Sequence, residues 1–172
     1  MRRGATLSLL MLAPFASAAP AAAQPAQAPR DNFDVAVNSM ALFCPALVSG
    51  RSAPDQAAGT PFGLRPINAP AGEYRFESLF SDGNVQIWFE PATHRCTVNF
   101  AGPAFHSIAG AARDIVVRNR FTSVLHDDTR PGVVGDVYDR TMSDPARRER
   151  FIIGEDSTSQ TAALSYSERT IP

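Results

Sequence analysis

The chain has 172 residues, with 16 arginines and no lysine against 17 acids, a formal net charge of −1, and 44% hydrophobic residues. This apolar content suits a packed core and argues against a disordered chain. The charge balance lacks the basic bias of nucleic-acid binders, so no nucleic-acid partner is expected.

The chain opens MRRGATLSLLMLAPFASAAPAAA. Arg2 and Arg3 make a positive start, an apolar run follows from Thr6 to Phe15, and small residues close it. This layout predicts a secretory signal peptide over residues 1–23, with small-x-small cleavage sites after Ala18, Ala19 or Ala23, the last preferred. The run is too short to span a bilayer, which needs roughly 20 apolar residues. The first cysteine is Cys44, too far downstream for lipidation. Residues 24–32, rich in Ala, Pro and Gln, read as a flexible linker, and residues 33–172 as one globular domain. The expected location is periplasmic or secreted, with no membrane span after the leader. Without Arg2 and Arg3 the balance is 14 arginines against 17 acids, a net of −3.

Asp34 is a candidate helix cap, after which Val37, Met40, Ala41, Cys44, Leu47 and Val48 recur at helical spacing. Pro45 predicts a kink or an end near Cys44. Residues 51–72 read as a short helical turn from Pro54 to Ala58 and then a loop. Strand signals follow. Tyr74, Phe76, Ser78 and Phe80 alternate with Arg75, Glu77 and Leu79. Val85, Ile87 and Phe89 alternate with Gln86, Trp88 and Glu90, and Cys96, Val98 and Phe100 with Arg95, Thr97 and Asn99. With turns at Asp82-Gly83-Asn84 and Pro91 to His94, this is an antiparallel meander with one apolar face.

Gly102-Pro103 breaks the sheet, and Phe105, Ile108, Ala109, Ala112, Ile115 and Val116 trace a second helix ending near Asn119. Strands are predicted again at Phe121–Leu125, Val133–Tyr138, Phe151–Gly154 and Thr161–Ser167. Turns fall at 127–132 and 156–160, and Arg147 to Arg150 reads as a solvated edge. The expected fold is α+β: a mostly antiparallel sheet of roughly 5–7 strands with two main helices packed on one face, in the order α-βββ-α-ββββ. Each half runs helix, then strands, without residue identity between the halves.

Cys44 and Cys96 both fall on apolar faces, one on the first helix and one on the third strand. In an exported chain they predict a disulfide between helix and sheet, contributing roughly 3–4 kcal/mol through loop closure. There is no C-x-x-C motif, and buried thiols are inert, so a catalytic pair is disfavoured.

The histidines are His94, His106 and His126. His126 with Asp128 is the catalytic candidate: two residues apart on a strand, they share a face, and a carboxylate can orient a histidine base. No G-x-S-x-G, H-E-x-x-H, EF-hand or phosphate-loop pattern occurs, so neither metal nor cofactor is expected. The outer face of the meander carries the lone Trp, Trp88, among Arg75, Arg95 and Asn99, residue types that anchor interfaces. The leading expectation is a non-enzymatic exported protein that binds another protein or an envelope component through that face. The alternatives are an envelope hydrolase using His126 and Asp128, and a carrier of an apolar small ligand.

Overall fold

The computed structural model describes residues 29–57, 61–80 and 84–170. The leader and most of the linker lie outside these, as do residues 81–83 of the turn expected at Asp82-Gly83-Asn84. The first helix, α1, joins three stretches: α-helical Asn32–Asn38, π-helical Ser39–Phe43 and α-helical Cys44–Val48. Its cap is Asp31, not Asp34: the Asp31 side chain accepts from the Asp34 amide at 2.9 Å. Asp34 sits in the first turn instead, where its charge suits the helix dipole and where it takes the Arg30 amide and guanidinium. Asn32, expected in the linker, is thus the first helical residue.

The chain does not end its helix at Pro45. Proline in a helix lacks a donor and crowds the carbonyl four residues back. The widened stretch before it accommodates both effects, with the Cys44 amide bonding to the Ser39 carbonyl five residues back. A short helix, α2 (Pro54–Ala57), follows.

Among the described residues eight strands form one antiparallel sheet, more than the five to seven expected. They are β1 (Leu64–Ile67), β2 (Tyr74–Ser78), β3 (Val85–Glu90), β4 (Arg95–Ala101), β5 (Thr122–Arg130), β6 (Val133–Thr141), β7 (Arg147–Asp156) and β8 (Thr161–Thr170). Helix α3 (Phe105–Arg118) separates β4 from β5. The additional strand, β1, lies in the stretch read as a loop. It is four residues long and contains Pro66, which an edge strand tolerates because one side of its backbone needs no partner. In the second half, β5 runs on to Arg130, so the turn expected over 127–132 contracts to Pro131-Gly132, with Gly132 at φ +77°. The edge expected at Arg147–Arg150 is the start of β7, paired with β8 throughout and with β6 from Arg148 onward.

The spatial order is β1-β2-β3-β4-β8-β7-β6-β5. Each half is a helical segment followed by a four-strand meander, and the last strands of the two halves, β4 and β8, lie side by side. Register aligns Phe76, Ile87, Val98, Leu164, Ile153, Asp136 and His126 in one cross-strand row. The apolar members of that row belong to one buried cluster with Val35, Phe43 and Leu47 of α1 and Ile108, Ala112 and Val116 of α3. Cys44 and Cys96 are bonded, with Cα atoms 5.4 Å apart, fastening α1 to β4.

Candidate functional site

Two groups of polar side chains stand out, one on each face of the sheet. The first lies on the face away from the buried cluster, as the alternation in β2 to β4 dictates. Here Arg75, Trp88, Thr97 and Ser165 make one cross-strand row, and Glu77, Gln86, Asn99 and Ala163 the next. Trp88 is 37% exposed. The Arg75 guanidinium stands 5.0 Å from its ring centroid and is itself held by Glu73 at 3.0 Å, a cation–π contact that fixes the indole. Arg95 pairs with Glu90 at 2.6 Å, and this bond is the main cause holding the Glu90 carboxyl below its ordinary range. Thr97 donates to Ser165 at 3.2 Å, while the buried Asn99 Nδ2 has no hydrogen-bond partner among the described residues. The four expected binding residues, Trp88, Arg95, Arg75 and Asn99, therefore share one face.

The second group lies under α3. His126 and Asp128 are 3.8 Å apart at their nearest charged atoms, and both are well exposed. The shorter bond of His126 goes across the strands: its Nδ1 donates to Asp136 Oδ1 at 2.6 Å, because the two residues are direct partners on β5 and β6. Arg113 of α3 reaches down between two buried carboxylates, Asp136 at 2.7 Å and Glu155 at 2.5 Å. His106, in the first turn of α3, closes the chain on Glu155 at 2.5 Å. The network runs His126–Asp136–Arg113–Glu155–His106.

Burial works against ionisation of Asp136, but hydrogen bonds from His126 and Arg113 outweigh it and hold the carboxyl below its ordinary range. The same bond to Asp136 is the main cause of a raised His126 pKa. Chemically this is a charge-neutralised brace between helix and sheet with an oriented, solvent-facing imidazole at one end. Among the described residues, no hydroxyl or thiol hydrogen-bonds to His126. Asp136, Arg113 and Glu155 were not legible as a group. The one sequence signal was Arg113 at the border of the apolar stripe of α3, since strand partners cannot be read from local spacing.

A disulfide joins the two cysteines, and among the described residues no helix is long and apolar enough to cross a membrane. The chain matches no protein-family model, no curated protein and no solved structure.

Proposed function

We propose that this is an exported, non-enzymatic protein that binds another protein or an envelope component through the outer sheet face centred on Trp88 and Arg95. The observation that carries the reading is the exposed Trp88, steadied by Arg75 on the face opposite the one that shares a buried cluster with α1 and α3. Two features support it. Residues of α1 and α3 join one buried cluster with the opposite face of the sheet, so the outer face is left for a partner. A large aromatic ring whose rotamer is already restrained loses little entropy on binding, which makes it an efficient anchor. Export fits the disulfide and the leader-like start of the chain.

The test is capture of envelope components by the immobilised protein, compared with a Trp88→Ala/Arg95→Ala variant. Loss of two anchors should weaken capture about tenfold or more. The thermal midpoint should move by no more than about 2 °C, since both side chains lie on the surface. Equal capture by the variant would remove the proposal.

A further inference from the structure

A cavity of about 360 Å³ opens between the C-terminal part of α1, the end of α3 and the ends of β6, β7 and β8. It is on the helix-bearing side of the sheet, away from Trp88. Its walls change character along the strands. One cross-strand row places Arg140, Glu149 and Glu168 side by side. The next row on the same face places Phe151 beside Tyr166. Met40, Pro45, Ile115 and Phe121 continue the apolar wall.

The charges at the polar end settle which ligand fits. Both carboxylates are already answered. Glu149 accepts from Arg140 Nε and from the Tyr166 hydroxyl, each at 2.5 Å, and Glu168 is paired with Arg147. Arg51 also lines the cavity, is exposed, and makes a hydrogen bond to Ser49 Oγ at 2.9 Å. Among the described residues no carboxylate forms an ion pair with it, although its charge helps hold the Glu149 carboxyl low; with Arg140 and Arg147 set against Glu149 and Glu168, one positive charge, that of Arg51, is left over at this end.

We propose that this cavity binds a small carboxylic acid with an apolar body, its tail against Phe121, Phe151 and Ile115 and its carboxylate on the Arg51 guanidinium. Planar guanidinium matches carboxylate geometry, and such charge-assisted bonds are among the stronger polar contacts. The volume falls at the small end of the usual range for ligand pockets, roughly 300–1,000 Å³, which selects a short alkyl or single-ring acid. This site is independent of the sheet-face reading and can fail without it.

The experiment is calorimetric titration of the protein with decanoate below its micelle concentration, with phenylbutyrate and with uncharged decanol. Either acid should bind, with decanol about tenfold weaker, and Arg51→Gln should weaken the acid about tenfold while leaving decanol unchanged. Ala41→Phe, which fills the cavity from α1, should abolish binding with the circular dichroism spectrum retained. The proposal is overturned by no saturable binding of either acid, by equal binding of acid and alcohol, by acid binding unweakened in Arg51→Gln, or by acid binding that survives Ala41→Phe. Acid binding lost instead in Trp88→Ala/Arg95→Ala would also overturn it by moving the site to the outer face.

Discussion

The two halves of the sheet share an order of elements but are held to their helices by different forces. On β2 to β4 the buried helix-facing side chains are apolar apart from Ser78: Phe76, Val85, Ile87, Phe89, Val98 and Phe100 are all buried, and Cys96 is bonded to α1. On β6 and β7 the same face mixes Phe151 and Ile153 with buried Asp136, Glu149 and Glu155. There α3 answers with Arg113, and β6 answers with Arg140. Similar topology is thus secured by a covalent staple and apolar burial on one side, and by hydrogen-bonded ion pairs on the other. The first half should be sensitive to reductant, the second to pH and to loss of single charges.

The largest separation between the halves should come from the disulfide. Replacing both partners, Cys44→Ala with Cys96→Ala, frees a closure of 52 residues and should cost about 4 kcal/mol in the chain-entropy treatment. Denaturant unfolding measures this. Reductant should shift wild type by a similar amount and the double variant not at all. A wild type insensitive to full reduction would contradict the comparison.

Next in size is Arg113→Met. It leaves two carboxylates, whose side chains are only 7% and 4% exposed, with one histidine partner each. Breaking a buried pair costs roughly 3–5 kcal/mol, and since Arg113 is itself about a third exposed, about 3 kcal/mol is expected. Adding Asp136→Asn and Glu155→Gln should recover much of the loss. A single variant as stable as wild type would show that α3 is held by its apolar stripe alone.

The smallest effect is the pH response. His126 has a raised pKa, so its contribution is complete below its ordinary value of 6.5 and disappears as pH rises through the higher folded value. Asp136 has a lowered pKa, so its contribution is complete above its ordinary value of 3.8 and disappears as pH falls through the lower folded value. The brace is therefore strongest between those ordinary values. The gap in thermal midpoint between wild type and His126→Gln should be present at pH 5.5 and close toward pH 9. A gap that does not change with pH would detach His126 from the network.

Legibility followed the same divide. In the first half, Val85, Ile87 and Phe89 alternate cleanly with polar residues, so the faces of the strands and the Cys44–Cys96 bond could be argued from spacing. In β6, inward Val134, Asp136 and Tyr138 alternate with outward Val133, Gly135 and Val137, so apolar residues occupy both faces and neither reads as the core side. The partner of His126 was missed for that reason. Asp128 was the nearest carboxylate in sequence on its face, whereas Asp136 is the nearest in space because it stands directly across the ladder.

The sequence by itself determined most of the periodic elements and the polar face around Trp88, because those rest on spacings within a helix or between strands joined by short turns, and the cysteine pairing, because the chain holds two cysteines and both fall on apolar faces. Only the tertiary structure decided that β4 lies beside β8, that Pro66 belongs to an edge strand, and that Arg113 bridges carboxylates from two strands. Those choices come from closing one sheet over a shared helical core, and the free energy of that closure is spread over contacts that no local pattern records.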